Sequence, residues 1–348
     1  MAVRKTEFWD IESVSELRKR FQAPGWALRL FEWLRWPEGR FCLHCGCLDH
    51  LPIKGRQRTG LYHCRGCHKQ FSATSGTPLH KTKLPIETWM EAAFLIASSS
   101  KGISSITLAK QIGVTQKSAW KIGHAIRLMM KPPADEPPLS GVVEVDDMFV
   151  GEDPKRTNRR KYGSTTAKYI SNAPGRGSKK DRILVATERG GRARAKKMED
   201  GTVAKVEPLL KGMITTDATL MTDGDKTLGA IGKGYAGHQA VNHSAGEYVR
   251  GEAHTNTVEA YHLFAQRAKF GVWHRWSDNH QARYLDEISF HWDHRPRFQK
   301  LEVGGQTKRQ MIVRSTPIIL RMRQIFANAG GRRLTRVGGT VKEDGHKI

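Results

Sequence analysis

Long apolar runs are missing from this sequence. No stretch of about 18 or more apolar residues occurs, which excludes an ordinary membrane-spanning helix. Cysteine is missing before Cys42 and after Cys67. A secreted disulfide scaffold spreads an even number of cysteines over a short chain; five crowded into one stretch read as metal ligands in a reduced compartment. Neither a basic amphipathic helix nor a lipid-attachment motif is evident, so a membrane surface is not an expected partner. The opening MAVRKTEFWDIESVSELRKR lacks the apolar stretch of a secretory leader, and a cytoplasmic, nucleoid-associated protein is expected. Acidic residues are scarce: 34 Asp plus Glu stand against 58 Lys plus Arg, a formal charge of +24. Such an excess asks for a polyanion, and nucleic acid is the usual one, because every phosphate neutralised releases counterions.

The chain has room for more than one domain at 348 residues, and it shows no internal repeat. Residues 1–40 read as a helical segment, 41–76 as turn-rich and cysteine-bearing, and 80–131 as helical again. The proline-rich KPPADEPPLSG then marks a linker over 132–140. Beyond it, VVEVDDMFVG (142–151) reads as a strand, RILVATE (182–188) as another, 203–211 as a short helix and ATLMTDG (218–224) as a strand. A helix near 225–231, a strand around His238–Val241 and a long helix from Asn256 follow. Residues 155–182, which include Arg159, Arg160 and Lys161, read as a mobile basic loop suited to holding DNA. From 299 onward the sequence reads as a basic tail whose last fifteen or so residues look disordered.

Cys42-Leu-His-Cys45 and Cys64-Arg-Gly-Cys67 are two C-x2-C units separated by 18 residues. Each unit turns tightly enough to aim two sulfurs at one ion, and the four complete a closed tetrahedral site for structural Zn²⁺. Cys47 is surplus, and His44, His63 or His68 could replace a sulfur.

KGISSITLAKQIGVTQKSAWKIGHAIRLMM (101–130) has the rhythm of a helix-turn-helix: a helix over 104–112, a turn at Gly113 and a second helix after Val114. Ile106, Leu108, Ile112, Val114, Trp120, Ile122 and Ile126 are its expected core, and Gln116, Lys117, Ser118 and Lys121 are placed to face a major groove. A plain helical hairpin with solvated lysines is the alternative.

Phosphodiester chemistry by two metals needs carboxylates converging from different elements. Asp146 lies in a β-rich strand, Asp223 closes another, and Glu259 falls in the first turn of the helix from Asn256, with 35 residues between it and Asp223. Mg²⁺ or Mn²⁺ suits such a set. Asp147 could replace Asp146, since alternate residues face opposite sides of a strand. Asp217 precedes its strand in turn-like sequence, and Glu287 reads as solvated or Arg-paired. His254 and His274 could touch phosphate, and Asn256-Thr-Val-Glu259 also fits a capping box.

The order Asp, Asp, then Glu after 35 intervening residues resembles the DDE transposases and retroviral integrases. More narrowly, the chain resembles the ISXO2-like transposases of the IS1595 insertion-sequence family. LRWPEGRFCLHCG (34–46), YHCRGCHKQFSATSGTPLHKTKLPIETW (62–89), VEVDDMFVG (143–151), the TDG at 222–224, HTNTVEAYHLFAQRAKFGVWH (254–274) and RYLDEISFHWDHR (283–295) carry the resemblance. It implies an RNase H-like mixed five-stranded sheet flanked by helices over 141–298, making the whole an α+β multidomain protein. It also implies Asp146 and Asp223 as the first two metal ligands. The third is Asn256 of the N-T-x-E motif or Glu259, the better donor to a hard cation. Where relatives place a lysine in the following helix, this chain has Gln266 and Arg267, so that Arg267 and Lys269 are the expected DNA contacts. The implied activity is metal-dependent cleavage and strand transfer at the element's inverted repeats. The partners would be double-stranded DNA, element ends and target, and further copies of the chain in a synaptic complex. A DNA-binding regulator with an inactive catalytic domain and a stand-alone nuclease are the alternatives.

Overall fold

The computed structural model describes residues 8–53, 60–151, 180–274, 276–303, 306–337 and 340–345. Arg159, Arg160 and Lys161 lie outside the described residues. Two compact units divide the chain, Met1–Glu136 with Asp286–Ile348, and Pro137–Leu285.

The first unit opens with α1 (Val14–Arg20) and α2 (Trp26–Arg35). Ser13 caps α1 by accepting the Glu16 N–H at 3.1 Å. A three-stranded antiparallel sheet follows, β1 (His50–Pro52), β2 (Leu61–Cys64) and β3 (Gln70–Ser72), then α3 (Ile86–Ser98), α4 (Ser105–Ile112) and α5 (Gln116–Met130). The α4–α5 turn is fixed by local chemistry. Gly113 takes the left-handed φ of 68° that ends α4, and Thr115 caps α5 through the Ser118 N–H at 3.3 Å. Leu108, Ile122 and Ile126 are buried as their spacing indicates, but Ile106 is 61% exposed, contrary to expectation. It sits two residues from Leu108, about 200° around an α-helix, and so on the opposite face.

The second unit is built on one mixed sheet. Its strands are β4 (Val142–Val150), β5 (Asp181–Glu188), β6 (Ala193–Lys197), β7 (Thr219–Asp223) and β8 (Gly237–Val241), in spatial order β6-β5-β4-β7-β8. The pairs β6·β5 and β5·β4 are antiparallel, whereas β4·β7 and β7·β8 are parallel. Along β4 the side chains alternate. Val143 and Val145 enter a core with Val206 and Leu210 of α6 (Val203–Lys211) and Leu228 and Ile231 of α7 (Lys226–Gly232). The opposite face takes α8 (Asn256–Ala268), which packs on β4 and β5 and buries Val258 and Tyr261. Two short strands, β9 (Val249–Arg250) and β10 (Ala253–His254), lead into α8. A π-helical turn (Lys269–Trp273) follows, and then α9 (Asp278–Asp293), along which the chain returns to the first unit at Asp286.

The returning segment carries β11 (Arg297–Val303), β12 (Gln306–Val313), α10 (Ile318–Ala327), β13 (Arg332–Val337) and β14 (Thr340–Gly345). The reading of these residues as a tail with a disordered end is corrected here. Ile319, Met322, Ile325 and Phe326 of α10 join one core with Phe31 and Leu34 of α2 and Met90 of α3, and Phe326 meets Phe31 edge to face at 5.3 Å. Arg332 closes the C-terminus of α5 by donating to the carbonyls of Leu128 at 2.5 Å and Pro132 at 3.1 Å. Leu334 and Val341, spaced among glycines and charges, are both buried.

Inside this unit Arg127 of α5 pairs with Glu287 of α9, their side chains 5% and 0% exposed. Burial alone would push the Glu287 carboxyl up; Arg127 and His291 hold it below the usual carboxylate range. Replacing Arg127 with Met strands that charge and should cost about 3–5 kcal/mol of stability. Urea titration of the purified chain would read it, and adding Glu287→Leu should recover part of the loss.

Candidate functional site

The sulfur site lies in the first unit. The Sγ atoms of Cys42, Cys45, Cys64 and Cys67 all lie within 4.8 Å of one another. Cys42–Cys67 and Cys45–Cys64 are each 3.6 Å apart, against the roughly 3.8 Å edge of a tetrahedron with metal–sulfur bonds near 2.3 Å. Backbone N–H groups turn toward the sulfurs in each knuckle, His44 to Cys42 and Cys67 to Cys64, both at 3.4 Å. The Cys67 N–H leads the donors that lower the Cys64 thiol, whereas burial leads in raising the Cys42 thiol, as neighbouring sulfurs that share protons do. Cys47 stands beside Gly66 as a fifth sulfur outside the tetrahedron, and His44 is taken by the Gln70 carbonyl at 3.3 Å. The cluster suits a structural zinc. Cys64→Ser should weaken zinc binding by roughly 3 kcal/mol, a quarter share of a structural site's binding free energy. Zinc competition against a chromogenic chelator measures this; unchanged affinity would exclude Cys64 as a ligand.

The carboxylates lie in the second unit. The parallel register sets Val145 of β4 opposite Thr222 of β7, and Asp146 and Asp223 are the next residues on each strand. Neighbours at one level of a parallel pair point to the same side, which for β4 is the side that α8 covers. The Asp146 carboxyl is pushed up to about 7, first by burial, then by the charges of Asp223, Asp147 and Glu259, against the opposing N–H of Asp147. Asp146, Asp223 and Glu259 thus share one electrostatic field. They form no cage as tight as the four sulfurs. Asp223 accepts the Asp225 N–H at 3.0 Å, while Asp225 itself caps α7 through Thr227 and Leu228.

Asp147 points to the other face and pairs with Arg182, which also reaches Asp225 at 3.5 Å, so it is spent on structure. Asp217 is exposed in its turn. The helix begins one residue earlier than the capping-box reading required. Thr255 is the N-cap, Asn256 is the first helical residue and exposed, and Glu259 accepts the Thr255 hydroxyl at 3.2 Å. His254 sits 3.2 Å from the Glu144 carboxylate, while His274 is exposed.

Of the expected DNA contacts, Gln116, Lys117, Lys121 and Arg267 are exposed, and Gln116 also donates to Ser105 at 2.9 Å. Ser118 is half-buried, its hydroxyl 3.0 Å from that of the capping Thr115. Lys269 is corrected: its side chain is buried and donates to the Gly151 carbonyl at 2.7 Å.

Sequence reasoning missed three residues here. Glu144, two positions before Asp146, is fully buried. His262 of α8 brings Nδ1 to 3.8 Å from Asp146, and burial lowers it to about 4, a neutral imidazole beside the acids. His243 brings Nε2 to 3.3 Å from the Thr255 hydroxyl and 3.8 Å from Glu259. An acid at an inward position of a β-branched strand was the available signal for Glu144; the histidines gave none.

Comparison with known proteins agrees with this layout. The transposase zinc-ribbon domain of the IS1595 family matches residues 26–70 and the ISXO2-like transposase domain matches 138–293. A protein of Halobacterium salinarum, described as an uncharacterized protein in transposable element ISH50, is 25% identical over 254 residues, 72% of this chain and 84% of that one. With both domains present in order, the chain belongs to the ISXO2-like transposases of the IS1595 family.

Proposed function

We propose that this chain binds the terminal inverted repeats of an insertion sequence and catalyses their metal-dependent cleavage and transfer to target DNA. The reading rests on one observation above the others: a half-buried Asp146 carries the field of three further carboxylates, those of Asp223, Asp147 and Glu259. Such a concentration of negative charge fits a divalent ion, and the oxygen-only donor set of Asp146, Asp223 and Glu259 fits Mg²⁺ or Mn²⁺. When bound, the ion would polarise the scissile phosphate and activate the attacking oxygen. Asp146 and Asp223 would hold it from adjacent strands, and Glu259 would complete the set from α8, with Asn256 one turn away as the other candidate. His262, half-buried with Nδ1 3.8 Å from Asp146, would stand beside the ion as a neutral imidazole. The five-stranded order, three strands antiparallel and the rest parallel, supports an RNase H-like domain.

DNA recognition falls to the first unit. The α4–α5 pair supports a helix-turn-helix reading, with exposed Gln116, Lys117 and Lys121 entering the groove. Arg267 and the basic stretch 155–182 would grip phosphates, and two chains would pair two element ends. Among the described residues no helix is long and apolar enough to cross a membrane, and a location on the nucleoid follows from the function.

Asp146→Asn or Asp223→Asn should lower cleavage of element-end DNA by roughly a thousandfold or more, while the affinity for that DNA stays the same. Gel-shift titration alongside a Mg²⁺ cleavage assay separates the two effects. Glu259→Gln should match those losses and Asn256→Ala should not; the reverse would make Asn256 the third ligand. Each of Lys117→Ala and Lys121→Ala should flatten the salt dependence of binding by about one counterion. A wild-type chain that binds inverted repeats yet never cuts with either metal would reduce the protein to a regulator.

A further inference from the structure

Glu144 is too fully engaged to be a metal ligand. One carboxylate oxygen accepts the backbone N–H groups of Thr257 at 2.6 Å and Val258 at 3.1 Å. The other accepts the Thr257 hydroxyl at 2.9 Å and Arg189 Nε at 2.8 Å. A carboxylate offers about four lone-pair sites, and these four donors fill them, with His254 Nδ1 beside the second oxygen at 3.2 Å.

Thr257 and Val258 occupy the second and third positions of α8, whose N–H groups have no partner within the helix. A side chain on the N-cap residue normally takes them. Here the N-cap, Thr255, makes no such bond, and its hydroxyl goes to Glu259. Glu144 supplies the missing cap from a different element, and its negative charge meets the positive end of the helix. Arg189 extends the joint by donating to the carbonyls of Glu252 at 2.7 Å and His254 at 3.2 Å, on either side of Ala253 in β10.

We propose, resting on the transposase reading above, that Glu144 is a positioning residue of the catalytic centre. It pins the first turn of α8 to the strand that carries Asp146, which sets the distance from Asp146 to Glu259. By taking over the cap, it also frees the Thr255 hydroxyl to orient the Glu259 carboxylate. Glu144→Gln keeps the shape but replaces one acceptor oxygen with an NH₂ that faces donors and removes the charge that Arg189 answers.

The test is Mn²⁺ binding to the zinc-loaded full chain, followed by electron paramagnetic resonance, with Asp146→Asn as reference. Glu144→Gln should bind Mn²⁺ about 10–100-fold more weakly. It should also need correspondingly more Mn²⁺ for half-maximal cleavage, with unchanged affinity for element-end DNA. A lowered melting temperature with wild-type Mn²⁺ affinity would make the role merely structural and overturn the proposal. If Asp146→Asn leaves Mn²⁺ binding intact, the metal centre itself is misplaced and both readings fall; if Asp146→Asn abolishes it and Glu144→Gln does not, this inference alone falls. Should Glu144→Gln not fold, Thr257→Val, which deletes one of the four donors, decides: a loss of a few-fold supports the proposal and no change overturns it.

Discussion

A carboxylate with no access to water must be answered on every side, and in the catalytic unit the answer to Glu144 ties four pieces of chain together. Strand β4 supplies the acid, the turn after β5 supplies Arg189, the carbonyls around β10 are drawn in by that arginine, and α8 offers its free amide ends. None of these contacts is exchangeable for a solvated one without leaving a buried group unpaired, which is the costly case. Asp146 and Glu259, the acids that the proposed function assigns to the metal, are each two residues from a partner in this joint, Glu144 on the strand and Thr257 on the helix. Burial first, and the charges of Asp223, Asp147 and Glu259 after it, raise Asp146; the joint ties strand to helix against that repulsion.

Much of this plan was legible in the residues. The two C-x2-C knuckles announce four sulfurs at fixed spacing, and β-branched runs ending in Asp announce the strands that carry Asp146 and Asp223. Gly113 and Thr115 announce a helix ending and a helix beginning. These signals are local: a turn, a cap or a strand end is specified within a few residues. What stayed hidden depends on partners far away in sequence. Edge strand β6, with Arg and Lys at alternate places, has too little apolar character to read as a strand and is held by pairing with β5. Lys269 looked like a surface cation until Gly151, over a hundred residues earlier, supplied its acceptor. Glu144 is a third case, a charge that makes sense only once α8 has arrived.

The zinc ribbon and the helical core of the first unit divide labour differently. The ribbon has short strands of three or four residues and little to bury beyond Tyr62 and Phe71, so the sulfur tetrahedron does what a larger core would do elsewhere. The helices around it need no such staple. They surround a broad apolar core and one buried ion pair, Arg127 with Glu287, whose worth lies in fixing how α5 meets α9 more than in added stability.

That first unit is made of two distant stretches of chain, and synthesis delivers them in order. Residues through Glu136 leave the ribosome first, yet the core they share with α10 lacks Ile319, Met322, Ile325 and Phe326 until the entire second unit has been translated. The carbonyls ending α5 wait as long for Arg332. A message cut short before Ile318 therefore yields a chain whose half bearing α4 and α5 exposes an unfinished apolar surface. Translation through α10 and Arg332 completes it.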